Sequence, residues 1–177
     1  MQLFGIYYQY NLGGENLEKT KGYSYDIMEY RSQITNAIIN NKNIVKLLDE
    51  DPLNCPEDTI PYIKSFPYEF IPEAAMETGK FVNFELRASI DEKNKAYKNI
   101  TVYFFIVCHI DGVRTEKGLW YDRAACELEN MLGEKGMTGI GKMVLTGNDP
   151  YAPNIKFRGR LLTFTVKEFQ NGLRNGK

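Results

Sequence analysis

The sequence predicts an α+β domain: a mostly antiparallel β-sheet packed by two main α-helices, preceded by an aromatic arm. Three observations lead there. Residues 99–109, NITVYFFIVCH, are apolar on both faces, with Ile100, Val102, Phe104, Ile106 and Cys108 pointing one way and Tyr103, Phe105 and Val107 the other. A strand apolar on both sides belongs at the centre of a sheet covered on both sides. Residues 119–132, LWYDRAACELENML, put Trp120, Ala124, Leu128 and Met131 on one helical stripe, with Tyr121, Ala125 and Leu132 beside it. Asp122, Arg123, Glu127, Glu129 and Asn130 fall on the wet side of that helix. The order of patterns along the chain is helix, β-hairpin, helix, two strands, which suits an antiparallel sheet with helices on one face.

The first 26 residues carry Phe4, Tyr7, Tyr8, Tyr10, Tyr23 and Tyr25, with Gly13-Gly14 between them. Two readings stand side by side: an edge strand on its own domain, or an arm laid across a neighbouring subunit, where tyrosine gives large contact area at low entropy cost. A helix follows over 27–40, with Asp26 as N-cap and Ile27, Tyr30 or Arg31, Ile34, Ala37 and Ile38 as its apolar stripe. Asn40-Asn41 interrupts it, Asn43 caps a short turn over 44–48, and acidic residues with Pro52 end that turn.

Residues 52–72 hold five prolines, too close for a helix and too irregular for a central strand. The segment is expected to run extended over the surface, gripped by Tyr62, Phe66, Tyr68 and Phe70. Residues 79–88 alternate Val82, Phe84 and Leu86 inward against Asn83, Glu85 and Arg87 outward. The charged stretch 91–98 turns the chain into the central strand as a hairpin with a polar, mobile tip. After the second helix come a glycine-rich loop, a strand over 142–146, and a loop containing Asp149, Pro150 and Pro153. The last strand, 157–169, alternates Leu162, Phe164 and Val166 against Thr163, Thr165 and Lys167. The expected organisation is an arm over 1–26, one domain over 27–170 and a frayed tail over 171–177.

Composition narrows the function. A chain of 177 residues is most economically one domain and buries roughly 70% of its extended-chain surface. Lys and Arg number 22 against 23 Asp and Glu, a net charge of −1, so no bulk basic footprint for nucleic acid exists, although a local one stays open. The three cysteines, Cys55, Cys108 and Cys126, share no short spacing. Cys108 and Cys126 fall on apolar faces and read as core residues, so neither a disulfide framework nor a metal site is expected, and a reducing cytoplasm is. No apolar run approaches the roughly 20 residues of a membrane helix, and the N-terminus lacks the pattern of a signal peptide.

Four motifs invite chemistry. GMTGIGKM over 136–143 follows G-x-x-x-x-G-K to its last position, where Met143 replaces the hydroxyl that would hold magnesium. The loop also follows a helix and precedes a strand, the reverse of a phosphate loop, so a glycine-rich helix exit is the better account. His109 is the single histidine, and its neighbour Cys108 points to the opposite face of the strand, so the two cannot couple. Glu127 and Glu129 diverge on their helix, and Asp91-Glu92 and the acids at 49–51 read as solvated loop charges. Aromatic and basic residues interleave at Tyr97, Lys98 and Tyr103 and again at Lys156, Phe157, Arg158 and Arg160, a pattern that could stack bases. No catalytic, cofactor-binding or metal-ligating residue is expected.

The order of these pieces resembles the tail terminator and tail-to-head joining proteins, the small neck and tail-completion proteins of tailed bacteriophages, in particular those of phages of Firmicutes. The likeness runs from about Tyr30 to Phe169. It is carried by RSQITNAIINNKNIVKLLDE, IPYIKSFPYEFIPEAAMETGKFVNFEL, ITVYFFIVCHIDGVRTEKGLWYDRAACELENMLGE and GIGKMVLTGNDPYAP with FRGRLLTFTVKEF. The arm over 1–26 lies outside it.

The resemblance implies a tail-terminator-like α+β fold and a homohexameric ring that catalyses nothing. Such a ring closes the tail tube and docks on the head-completion, connector or neck proteins, with the tail sheath as a further partner. DNA passes through the ring lumen without sequence-specific binding. The implied place is the virion neck, assembled in the host cytoplasm, with no cofactor and no membrane. A ring needs two different patches per subunit. The candidates are the arm aromatics Phe4, Tyr7, Tyr8 and Tyr10 and the edge of the sheet. Lys95 and Lys98 at the hairpin tip, and Arg114 and Lys117 in the loop after the central strand, are candidates for axial contacts, against the plainer reading of solvated loop charges. A head-closure or connector protein is the rival within the class. A nucleic-acid-binding accessory protein, and an enzyme whose polar cluster the sequence does not advertise, are rivals outside it.

Overall fold

The structure is a computed structural model that describes residues 23–73, 78–133 and 142–169. In chain order the elements are α1 (Tyr23–Asn40), α2 (Lys42–Leu47), α3 (Pro56–Thr59), β1 (Lys80–Ile90) and β2 (Tyr97–His109). A 3-10 turn (Ile110–Gly112), β3 (Arg114–Thr115), β4 (Gly118–Leu119), α4 (Trp120–Gly133), β5 (Val144–Tyr151) and β6 (Phe157–Phe169) complete them. The four long strands form one antiparallel sheet in the order β1-β2-β6-β5, and β3-β4 is a separate miniature hairpin. This is the α+β architecture the sequence predicts.

Register explains the core. Phe84 lies opposite Phe104, and Phe104 opposite Leu162, so alternate residues of three strands meet on one face. On that face Ile100, Val102, Phe104, Ile106 and Cys108 of β2 are all fully buried beneath α1, α2 and α4. Phe104 meets Phe164 edge-on at 5.8 Å and Phe84 at a tilt at 5.9 Å. Burying each such side chain contributes about 1.5–3 kcal/mol. Helix α4 supplies Trp120, Ala124, Ala125, Leu128 and Leu132, while Met131 packs only partly buried at its margin. Cys126 faces solvent, contrary to the core place expected of it: it falls on the side of α4 turned away from the sheet.

The opposite face is covered at one end by the proline-rich strap. Phe81, Val107 and Phe157 form a second small core with Phe66, Phe70 and Tyr151. The strap bonds to the outer edge of β1, the Val82 N–H donating to the Lys64 carbonyl and the Phe84 N–H to that of Phe66, both at 3.0 Å. Asn83, expected to point outward, is buried beneath the strap. Its side chain accepts from the Phe66 N–H and donates to the Phe70 carbonyl, each at 3.2 Å, which satisfies a polar group at an otherwise apolar site. Tyr62 and Tyr68 do not grip the strap down, because both are exposed, and the fully buried Ile60 anchors it instead.

Several boundaries differ from expectation. Helix α1 begins at Tyr23, so Asp26 sits in its first turn rather than capping it. The cap of α2 is Asn41, whose side-chain oxygen accepts the N–H groups of Asn43 and Ile44; Asn43 is the capped residue. Strand β5 runs on through Asp149 and Pro150 to Tyr151, where a loop was expected. A proline is tolerated there because β5 is an edge strand with no outer partner to bond. Residues 23–26, expected to belong to the arm over 1–26, are instead the first turn of α1, and residues 1–22, the glycine-rich residues 136–141 and the tail over 171–177 lie outside the described residues. Gly159 on β6 is required by close approach: a Cβ there would stand 1.6 Å from the Ile106 carbonyl oxygen.

Candidate assembly surfaces

Of the interface candidates, Phe4, Tyr7, Tyr8 and Tyr10 lie outside the described residues. Lys95 is exposed in the β1-β2 loop. Lys98 is not available to a partner. It is only 5% exposed, with its Nζ 2.5 Å from an Asp26 oxygen and 3.3 Å from both Glu168 and the Tyr30 hydroxyl. The Tyr30 hydroxyl in turn donates to Glu168. Burial works against the charge on Lys98, and its bonds to Asp26 and Tyr30 outweigh that and raise its pKa. Burial, and after it the Glu168 bond, pushes the Tyr30 phenol up. This cluster fastens the first turns of α1 to the ends of β2 and β6.

Asp91, expected to be a solvated charge, is buried too. It accepts the N–H groups of Lys93 and Asn94 at 2.9 and 3.0 Å and meets the Lys167 ammonium at 2.5 Å. Those bonds, that of Lys167 foremost, lower its pKa. The hairpin loop is therefore built around a carboxylate.

Arg114 and Lys117 flank the β3-β4 turn and are both exposed, without an ion-pair partner among the described residues. The turn is closed by the Thr115 hydroxyl donating to the Gly118 carbonyl at 2.7 Å, and Gly118 takes a φ of +101° that favours glycine. Beside it lies a polar hollow of about 320 Å³ floored by Trp120, with Lys46, Asp49, Lys80, Arg123 and Glu127 among its walls. Asp49 is committed to Lys80 at 2.7 Å and Glu127 to Asn43 at 3.0 Å. The hollow lies between α2, α4 and the start of β1.

The residues of the motifs that invite chemistry are placed as follows where they are described. His109 is buried edge-on to Phe157 at 5.3 Å, and its Nδ1 accepts the Asp111 N–H at 3.4 Å. Cys108 lies on the other face of β2, where burial pushes its thiol up to about 11. Met143, where a phosphate loop needs a hydroxyl, is buried in the core. Of the interleaved basic and aromatic residues, Phe157 and Lys98 are buried, Arg160 pairs with Asp122 at 2.9 Å, and Arg158 donates to the carbonyls of Asn154 and Phe157. Among the described residues no three His, Cys, Asp or Glu side chains are grouped to hold a metal, and no helix is long and apolar enough to cross a membrane.

The sheet edges are blunted. Beyond the strap, the Leu86 N–H of β1 is taken by the Glu85 carboxylate at 2.9 Å, and Arg31 reaches across the same edge to Glu85 and the Pro67 carbonyl. On β5 the register shifts between Leu145 and Gly147, a bulge at Thr146, and Pro150 lacks an N–H. Bulges, prolines and covering loops all discourage strand addition.

What sequence reasoning missed is an apolar surface around the strap. Leu53, Tyr62, Ile63, Tyr68 and Ile71 of the strap region are all exposed. Ile155, 77% exposed, joins Ile71, 53% exposed, because Asn154 donates to the Pro72 carbonyl at 2.7 Å. Exposed Ile110 adjoins them, its N–H bonded to the Lys156 carbonyl at 2.9 Å. No periodicity could have found these isoleucines, since they stand on three separate loops. The one signal was the number of apolar residues between the prolines.

The molecule is thus an α+β domain with blunted sheet edges and an apolar surface at one end of its sheet. The YomW family model matches residues 41–166, and the chain belongs to the YomW family. That name is one of a gene product of SPBc2-like Bacillus phages, which makes this a phage-associated protein. Among curated proteins none matches the chain.

Proposed function

We propose that this protein is a structural component of a tailed phage particle, a homo-oligomeric ring, hexameric by its resemblance, that terminates the tail tube and joins it to the neck. The observation that carries the reading is the exposed apolar surface of Tyr68, Ile71, Ile110 and Ile155. Several large apolar side chains exposed on neighbouring loops suit a protein-protein contact. Membership of a phage-associated family supports the same reading. The blunted edges direct association through side-chain surfaces. In this reading the chain performs no catalysis, and its partners are further copies of itself, the tail tube protein and the head-completion or connector proteins. Arg114 and Lys117 make polar contacts with the ring above or below.

Native mass spectrometry of the purified protein, followed by cosedimentation with purified tails, tests this. A closed assembly that sediments with tails is the expected result. A monomer that ignores tails overturns the reading. Sedimentation with DNA-filled heads and not with tails would move it to the head-closure position.

A further inference from the structure

Charge in the hollow above Trp120 does not balance. Its walls hold three cations, Lys46, Lys80 and Arg123, against two carboxylates, Asp49 and Glu127. Asp49 is taken by Lys80 at 2.7 Å. Arg123 and Glu127 stand four apart on α4, the spacing of a helical ion pair, yet the Glu127 carboxylate accepts from the Asn43 amide at 3.0 Å instead. Asp122, next to Arg123 in the chain, is paired with Arg160 at 2.9 Å. Arg123 is therefore partly buried with no ion-pair partner among the described residues, and Lys46 on α2 has none there either. Arg123 also stands in the first turn of α4, where the helix dipole disfavours a cation and favours an anion. The β3-β4 turn, whose Thr115 lines the same hollow, adds Arg114 and Lys117 against Glu116.

The neutral donors at the hollow are already spent. The Thr115 hydroxyl donates to the Gly118 carbonyl at 2.7 Å, and the Trp120 indole N–H to the Leu47 carbonyl at 2.6 Å. What remains to offer is positive charge: the Arg123 guanidinium, the Lys46 ammonium, and the Lys80 protons not given to Asp49. We propose that this hollow binds a doubly charged oxyanion of the phosphate class, held by Arg123 and Lys46 with Lys80 in support. A guanidinium fork meets two phosphate oxygens side by side, and a lysine adds a point charge. A carboxylate would match only one of the two unpaired cations, whereas a phosphate group, with a charge of about −1.5 to −2 at neutral pH, matches both. The volume of about 320 Å³ is at the lower bound of small-ligand sites. A phosphorylated small molecule and a terminal phosphate of nucleic acid present the same chemistry to it. The site is complete within one chain and stands apart from the ring reading.

Trp120 is the single tryptophan and floors the hollow, so its fluorescence reports what enters. The full-length protein is titrated with inorganic phosphate at an ionic strength held constant with sodium chloride, and a saturable change in emission is expected. Arg123→Gln and, at an exposed position, Lys46→Gln are each expected to weaken binding about tenfold. Arg87→Gln, exposed on the other face of the sheet, is expected to leave it unchanged. Melting curves matched to wild type verify the fold of each variant. Glycerol phosphate and a terminally phosphorylated single-stranded oligonucleotide then compete in separate arms. Stronger competition by the first assigns the phosphate to a small molecule, and stronger competition by the second assigns it to nucleic acid. No saturable response to phosphate overturns the proposal. So does an affinity that neither variant weakens, or acetate saturating the response at the same concentration as phosphate.

Discussion

Lys98 and Asp26, 72 residues apart, meet at 2.5 Å and bind the first turn of α1 to the sheet. Lys98 is the buried cation that Asp26, Glu168 and Tyr30 share. Replacing it by methionine keeps the bulk and removes the charge, leaving Glu168 and Asp26 facing each other without a counter-ion. The Lys98→Met variant is expected to lose about 2–3 kcal/mol in urea unfolding. Adding Glu168→Gln is expected to return part of that loss, since the two sites are coupled. Additive losses would show that the cluster is not energetically connected.

The hairpin loop is expected to respond to acid. The Lys167 ammonium, and after it the Asn94 N–H, hold the Asp91 carboxyl below its ordinary value. A lowered folded-state pKa contributes stability above the unfolded value of about 3.9, and this is lost as pH falls through the folded value. The amide resonances of Lys93 and Asn94, both bonded to Asp91, are expected to titrate with a midpoint below that of a free aspartate. In Lys167→Met that midpoint moves up. An unmoved midpoint would remove Lys167 as the cause.

The three thiols are expected to divide two to one. Cys55 and Cys126 are exposed, while Cys108 is buried with its thiol pushed up to about 11. At pH 8 a thiol reagent should label two cysteines quickly and the third only as fast as the protein unfolds. Because burial favours the neutral thiol, stability linked to Cys108 is present below about pH 8.5 and declines as pH rises beyond it. Three thiols reacting at one rate would contradict the packing of β2.

Gly159→Ala is the smallest change expected to harm the fold severely. Its methyl group would stand 1.6 Å from the Ile106 carbonyl oxygen, which is backbone in the middle of the sheet and cannot step aside. A cost of about 3 kcal/mol, at the upper end for overpacking, is expected in urea unfolding. A variant as stable as wild type would mean that β2 and β6 separate more easily than their register implies.

The parts of the fold legible in advance are those whose physics is local. Alternation marks 157–169 as a strand with its ends correct, because Leu162 and Phe164 are buried while Thr163 and Thr165 on the other face stay partly exposed. The helical stripe from Trp120 to Leu132 is legible for the same reason. What escaped depends on partners distant in the chain. Lys98 and Asp91 read as surface charges, since nothing near them in sequence announces Asp26, Glu168 or Lys167. Asn83 reads as outward until the strap is laid over it. Pro150 reads as a loop residue until β5 is known to be an edge. The candidate site was the least legible part. Of the axial candidates, Lys95, Arg114 and Lys117 are exposed and Lys98 is not, and the isoleucine surface arises only when three loops converge.

The strand order carries a consequence for how the protein is made. Strand β6 is the last described element in the chain, yet it lies inside the sheet between β2 and β5. Until Phe157–Phe169 has left the ribosome, β2 lacks one of its two neighbours and β5 lacks its own. The nascent chain therefore carries an unfinished hydrophobic layer through most of its synthesis, and chaperones have that whole interval in which to engage it. A stop codon anywhere before residue 157 yields a polypeptide with no route to a complete sheet, so such fragments should be cleared by proteases rather than compete with intact copies during particle assembly.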